Sequence, residues 1–312
     1  MSIRVITNPY DANLITHTGT FHADEVLATV ILSKLFYVTA SVLRTVAIPE
    51  EKFAETKAII YDIGGGEFDH HQKGGNGIRE NGVPYASAGL VWKEYGLSFL
   101  FKKFNDASDA EIKFIFDFID KNLIQGVDAY DNGVLPKADY PAQSMNFSEI
   151  IRNFNPTWNS EETSDSGFIQ AVNFAEVIFD RLIETAYAKA KTKSIIENAI
   201  SESKGGIMIL PQQIDWQDAF FGSSNPKAEE INYVIFPSNR NDYKVRCVPD
   251  ELNGFGQRMP LPVKWRGLKN EELQKYSGVS DAIFCHPNGF IAAAESFEGA
   301  LKLAELATSE KI

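Results

Sequence analysis

No run of apolar residues in the 312-residue chain approaches the roughly 20 that a membrane-spanning helix requires. The first residues, "MSIRVITNPYDANL", hold no basic segment leading into a long apolar core, and they are not the Arg-rich, acid-poor stretch of a transit peptide. Cysteine occurs twice, at Cys247 and Cys285, far apart and outside any CxxC pattern, which reads as two buried thiols in a reducing compartment. The expectation is a cytoplasmic protein. Net positive charge is also missing. With a formal charge of −12 the chain repels nucleic acid at long range, so any polyanion must be held through metal ions and a local basic patch. No Ser, Cys or Lys nucleophile motif stands out, which leaves direct attack by water as the simplest hydrolytic chemistry.

The length favours two domains. The first part alternates strand and helix signals: Leu14–Thr16, a helix from Asp24 to Tyr37 with acids in its first turn, then strands over Ser41–Ala47 and Lys57–Ile63. Strands separated by helices predict a parallel, helix-covered sheet. Helical patterns follow over Ala86–Tyr95, Asp109–Gln125 and Ser166–Ser201, ended by Gly205-Gly206. Beyond that pair come short strand-like segments, "IMIL", "INYVIF", "YKVRCV", "AIFCH" and "GFIAAAE", and a helix over Phe297–Leu306. The reading is an α/β protein with domains over residues 1–203 and 204–312, the second smaller.

Histidine is scarce, five in all, yet four of the five fall in two short motifs: "HTGTFHADE" (His17, His22, Asp24, Glu25) and "FDHHQ" (Asp69, His70, His71). Between them Asp62 closes an apolar run in "YDIGGG", and "VDAYDNG" adds Asp128 and Asp131. Each cluster follows an apolar element, and the carboxyl ends of neighbouring parallel strands converge on one crevice. Nitrogen and oxygen donors without thiolate suit Mn²⁺ or Mg²⁺, with Zn²⁺ and Co²⁺ compatible, and the number of donors exceeds the need of one ion. Singly each residue has a plainer explanation. Asp24 and Glu25 favour a helix start, Asp62 alone reads as a cap, and Asp131 in "DNG" has turn chemistry, which is the reading adopted for it.

Together these motifs occur in the order seen in the DHH phosphoesterase superfamily. "THTGTFHADE", "RNFNPTWN", "RMPLPVKWRGL" and "GFIAAAESFEGAL" resemble more closely the motifs of the melanocyte proliferating gene family of DHH-like proteins, over nearly the whole chain. That family is related to RecJ-type exonucleases and manganese-dependent pyrophosphatases, and members have been described as 3′–5′ RNA exonucleases. The resemblance implies two divalent ions, Mn²⁺ foremost: His17, His22 and Asp62 around one, and Asp24, Asp62, His70 and Asp128 around the other, with Asp62 bridging. It further implies that His71 faces the phosphate and that Asp69 orients its neighbour. The first motif departs from the His-x₃-Asp-x-Asp of the pyrophosphatase branch: the spacing is one residue longer, and His22 replaces a carboxylate, so the site carries one negative charge fewer.

The second domain is expected to grip substrate. From Leu252 to Asn270 there is no acid, while Arg258, Lys264, Arg266 and Lys269 occur with Phe255 and Trp265 among them, a mixture suited to phosphate contact and base stacking. His286 in "CHPNG" reads equally as a cleft residue or a turn residue. The expected activity is a metal-dependent phosphodiesterase, an exonuclease on RNA or short oligonucleotides. Hydrolysis of a small phosphate compound such as pyrophosphate or a dinucleotide stays open as an alternative, as does metal and nucleotide binding without turnover. No membrane partner is expected.

Overall fold

A computed structural model describes residues 2–48, 57–134 and 144–309. Two compact units, Met1–Ala188 and Lys189–Ile312, divide the chain inside a long helix rather than after it. The sequence boundary followed the glycine pair that ends this helix. The packing follows side chains instead, because Ile196, Ala199 and Ile200 on its last turns are buried with Met208, Val234 and Phe236 of the second unit.

The first unit is built on a four-stranded parallel sheet, ordered β1 (Ser2–Ile6), β3 (Thr39–Thr45), β2 (Leu14–His17), β4 (Ile59–Ile60). Strand β1 was not anticipated: "SIRVI" alternates exposed Ser2 and Arg4 with half-buried Ile3 and Val5, but over only five residues, none of them buried. Helix α1 (Ala23–Phe36) is the opposite case. Val26, Leu27, Val30, Ile31 and Leu32 are all fully buried, and so are Asp24, Glu25, Thr29 and Ser33, so the helix is enclosed on nearly every side. Each of these apolar side chains contributes roughly 1.5–3 kcal/mol of burial. Helix α2 (Ser87–Lys103) packs against α1, and Asp109–Ile119 forms α3. One helix expected over Asp109–Gln125 proves to be three pieces: α3, a π-helical segment at Asp120–Ile124, and α4 (Gln125–Asp131). Helices α5 (Phe147–Arg152) and α6 (Ser164–Glu202) follow.

Because β2 lies between β3 and β4, the chain leaves it toward one side and returns on the other, which makes the gap between β2 and β4 a topological switch point. Leu14 pairs with Ile59 and Ile15 with Ile60. Two residues further along each strand stand His17 and Asp62.

The second unit holds a mixed five-stranded sheet: β5 (Ile207–Ile209), β6 (Tyr233–Pro237), β7 (Tyr243–Cys247), β9 (Ile291–Ala294), β8 (Ala282–Cys285). Only β5 and β6 run parallel. Both faces are covered, since Tyr233 and Ile235 enter one core and Val234 and Phe236 the other, the period-two alternation of a strand. Cys247 and Cys285 are buried in the first of these cores with free thiols. Among the described residues no helix is long and apolar enough to cross a membrane.

Candidate metal centre

His17 ends β2. Its Nε2 lies 2.9 Å from Glu25 Oε1 and 3.2 Å from Asp62 Oδ2, while Nδ1 faces the Thr18 carbonyl at 3.1 Å. The loop that follows is pinned from two directions. The Asn155 side chain accepts from Phe21 N–H and donates to Phe21 C=O, both at 2.9 Å, and Arg44 donates to the Gly19 carbonyl at 2.8 Å. His22 then sits at the start of α1, where its backbone N–H donates to Glu25 (2.8 and 2.9 Å to the two oxygens). Glu25 thereby does two things: it caps the helix and turns a carboxylate toward His17. Asp24 is buried beside it and accepts from Ser87 N–H at 3.3 Å.

Asp62 stands just past β4 with φ 56°, the left-handed region that a non-glycine residue enters only at a cost, and where Asp is among the tolerated types. That turn ends the strand early and swings the chain into the glycine-rich loop. The loop is closed by Asp62 N–H donating to Phe68 C=O (3.0 Å) and Gly65 N–H donating to Asp69 Oδ2 (2.7 Å). The other oxygen of Asp69 accepts from His71 N–H at 2.9 Å and lies 3.1 Å from His71 Nδ1. Asp62 Oδ1 accepts from the Ser87 hydroxyl at 2.9 Å and is 3.3 Å from His70 Nδ1 and 3.4 Å from His71 Nδ1. His70 Nε2 reaches Asp131 Oδ2 at 2.8 Å, and His22 Nδ1 is 3.8 Å from the same carboxylate.

Among the described residues, donor atoms within 4.8 Å of one another therefore form four overlapping groups: His17, His22 and Glu25; His22, Asp24 and Asp131; Asp24, Glu25 and Asp62; Asp62, Asp69, His70 and His71. The structure brings together His17, His22, Asp24, Asp62, Asp69, His70 and His71. It does not bring Asp128 to them. Asp128 is fully buried, with Oδ2 2.8 Å from an Arg79 guanidinium nitrogen and Oδ1 accepting from Gly89 N–H at 2.9 Å. A Cβ on Gly89 would lie 1.8 Å from Asp128 Oδ2, so only glycine fits there. Arg79 is held further by Asp120 (3.2 and 2.8 Å) and by the Tyr85 ring, 4.1 Å away. The residue of "VDAYDNG" that faces the histidines is Asp131, against the turn reading given to it. Glu25 and Ser87 join the group without having been singled out as donors. Glu25 was visible only as a capping acid, and Ser87 only as the start of a helix.

The electrostatics are those of anions crowded out of water. Burial drives Asp24 well above the usual carboxylate range, and Asp62, Glu25 and Asp131 push the same way. Burial opposes charge on His17, but the Asp62 and Glu25 carboxylates beside it outweigh burial and raise the imidazole to about 11. His70 rises to about 10 against burial, through Asp131 and Asp62. Burial works against the Asp62 anion too, yet His17 and His70 hold its carboxyl below the ordinary value. Burial pushes Asp128 up to about 7, with Arg79 pulling the other way. Protons here supply positive charge that the carboxylates demand. Among the described residues Asp24 Oδ1 has no hydrogen-bond partner, and Asp62 Oδ2 is faced by the His17 ring without a well-aligned bond. Buried carboxylate oxygens left open within a set of N and O donors fit divalent cations.

In the second unit the nominated groups divide. The Arg258 guanidinium donates to the carbonyls of Ala228 (2.6 Å) and Ile231 (3.2 Å) and lies over the rings of Phe220 and Phe221, so it braces the fold. Trp265 is buried in the core and offers no face to a base, whereas Phe255 is 99% exposed. Arg266 donates through Nε to Leu261 C=O at 3.0 Å. His286 Nδ1 accepts from Asn288 N–H at 3.1 Å, and its ring lies 4.5 Å from Phe290.

A parallel α/β sheet with imidazoles and carboxylates gathered at its switch point defines a hydrolase-type metal site. The chain belongs to the melanocyte proliferating gene family: the family described as "Uncharacterised protein family (UPF0160)" matches residues 13–308. It is 30% identical to the "MYG1 protein" of Dictyostelium discoideum, over 94% of this chain and 95% of that one. It is 31% identical to the "MYG1 exonuclease" of Mus musculus, over 95% and 84%. Similarity to the solved structure of RecJ with Mn²⁺ from Thermus thermophilus is loose (TM-score 0.28, 11% identity, 95% of this chain and 52% of that one) and carries no argument.

Proposed function

We propose that the protein is a metal-dependent phosphodiesterase that removes nucleotides from RNA or short oligonucleotides, a 3′–5′ exonuclease working with two divalent ions, Mn²⁺ foremost. The observation that carries this reading is the buried donor set at the β2–β4 switch point, with the open carboxylate oxygens of Asp24 and Asp62. Relatives named as exonucleases across most of the chain's length support the same reading.

His17, His22, Asp24, Glu25, Asp62, His70 and Asp131 would hold the ions, with Asp62 central because one of its oxygens faces His17 and the other faces His70 and Ser87. Held by these residues, divalent ions would supply charge neutralisation at the phosphate and activation of a water. The chain's own groups do the rest. The left-handed turn at Asp62 and the Ser87 hydroxyl fix the direction of the central carboxylate. Asp69 accepts, so His71 Nδ1 carries the proton that faces it, and Nε2 of this half-exposed ring is left for the phosphate or the leaving oxygen. Such second-sphere carboxylates orient an imidazole and set its tautomer.

The Asp62→Asn variant tests this reading. It should fold, lose most of its bound metal and hydrolyse no phosphodiester. A folded variant with normal metal content and near-normal turnover would sink the assignment. The net charge of −12 favours one second reading, a hydrolase of a small phosphate compound, because a long polyanion is repelled at range.

A further inference from the structure

The second unit contains a cavity of about 550 Å³ that the metal chemistry does not use, within the range of small-ligand pockets (roughly 300–1,000 Å³). Its lining includes Arg246 on β7, Phe255 and Gln257 on the loop between Pro249 and Gln257, Asn288 and Phe290 before β9, and Gln217. No acid lines it. Arg246 has no carboxylate partner among the described residues, and its guanidinium lies 5.9 Å from the Phe290 ring. In a chain with 42 acidic residues and 30 basic ones, a half-buried arginine without an anion is a group waiting for one.

The loop that carries Phe255 is a built one. Pro249 and Gln257 form a β-bridge, Arg258 N–H donates to Val248 C=O at 2.9 Å, and Gln257 Nε2 donates to Phe255 C=O at 2.7 Å. At Gly256 a Cβ would come within 1.9 Å of Asp250 Oδ2, so a side chain there would have to displace that exposed carboxylate. A fixed loop holding a fully exposed phenyl ring at the rim, a second ring in the wall, one unpaired cation, and side-chain amides at Gln217 and Asn288 make a particular combination. Ring faces stack on a flat heterocycle, amides pair with its edge, and the guanidinium takes an anion.

We propose that this pocket binds a nucleotide, with the base against Phe255 and Phe290 and the phosphate on Arg246. The proposal deepens the exonuclease reading by naming what the second unit holds, but its test needs no hydrolysis and no metal. The probes are adenosine 5′-monophosphate, adenosine and inorganic phosphate, titrated calorimetrically into the full chain kept in chelator. Adenosine 5′-monophosphate should bind saturably, and at least about tenfold more tightly than phosphate. Phe255→Ala, at a fully exposed position, should weaken it by roughly tenfold, the loss expected for one stacked base. Arg246→Ala should bring adenosine 5′-monophosphate down to the affinity of adenosine, and Arg246→Lys should restore part of the difference. No saturable binding at millimolar nucleotide, or equal affinity in wild type and both alanine variants with unchanged melting temperature, would overturn it. A metal-loaded protein without nuclease activity that still passes this test would instead remove the exonuclease reading and keep the pocket.

Discussion

Asp128 and Asp131 stand three residues apart in one motif, and the structure gives them opposite work, so exchanging each carboxylate for its amide should separate stability from metal binding. Asp128→Asn keeps the shape but sets an amide where two donors, Arg79 and Gly89 N–H, both need an acceptor at 2.8 and 2.9 Å. One of its two faces must then meet a donor with a donor. Leaving a buried group so mismatched costs about 1–3 kcal/mol, and Asp120, which stays on Arg79, keeps the loss from growing to that of an isolated buried charge. For a unit of 188 residues this is a fall in melting temperature of roughly 3–10 °C. Asp131→Asn should change the melting temperature of chelated protein less, because the anion it removes both crowds Asp24 and pairs with His70 at 2.8 Å, effects of opposite sign. Its metal affinity should fall by at least about a hundredfold, beyond the 10–100-fold typical of a group that merely braces a ligand. Thermal melts in chelator and metal content after dialysis read both effects. If Asp128→Asn loses metal with an unchanged melt while Asp131→Asn retains it, the assignment of the two residues is reversed and the reasoning fails.

Arg258→Ala should lower the melting temperature and leave affinity for the phosphate of a substrate unchanged, since the guanidinium is spent on two backbone carbonyls; a KM effect without a stability effect would return it to the substrate-gripping role. Metal uptake should release protons. His17 and His70 are raised to about 11 and about 10, so both are charged at pH 8.5 in metal-free protein and must shed a proton to ligate. Calorimetry in buffers of different ionisation enthalpy should show on the order of one proton per imidazole, and identical heats in all buffers at that pH would contradict the raised values. Binding of a single-stranded RNA oligonucleotide by Asp62→Asn protein should weaken with salt at a slope near −0.7 per contacted phosphate. A slope of about one phosphate, with a dinucleotide bound as tightly as a decamer, would favour the small-substrate hydrolase.

Strand ends were the legible part of the site. His17 and Asp62 each close an apolar run, and adjacency of parallel strands follows from the alternation of strand and helix. Their meeting was therefore open to inference, as was the approach of His70 and His71. What decides between Asp128 and Asp131 is hidden. The π-helical segment at Asp120–Ile124 adds a residue to a turn and rotates everything after it by about 100°. Arg79, which captures Asp128, comes from a loop with no periodic signal. Glu25 was concealed by its own second role, because an acid in a first helical turn already has an explanation. Trp265 shows the reverse error. An aromatic among basic residues resembles a stacking platform, but its ring is buried in the sheet's core and only Phe255 faces out. Composition cannot tell the two apart, since exposure is a property of the packed chain.

The central claim is that the donor set at the β2–β4 switch point performs metal-dependent phosphodiester hydrolysis from an end of the strand. Metal-depleted protein should be titrated with Mn²⁺ against end-labelled RNA, DNA, pyrophosphate and a dinucleotide in parallel, and the products resolved by length. The account predicts no turnover before metal is added. On addition it predicts mononucleotide release, with the RNA shortened stepwise from its 3′ end, and none of this in Asp62→Asn. Hydrolysis that proceeds equally in chelator, or fully loaded protein that leaves every phosphodiester intact, would contradict it.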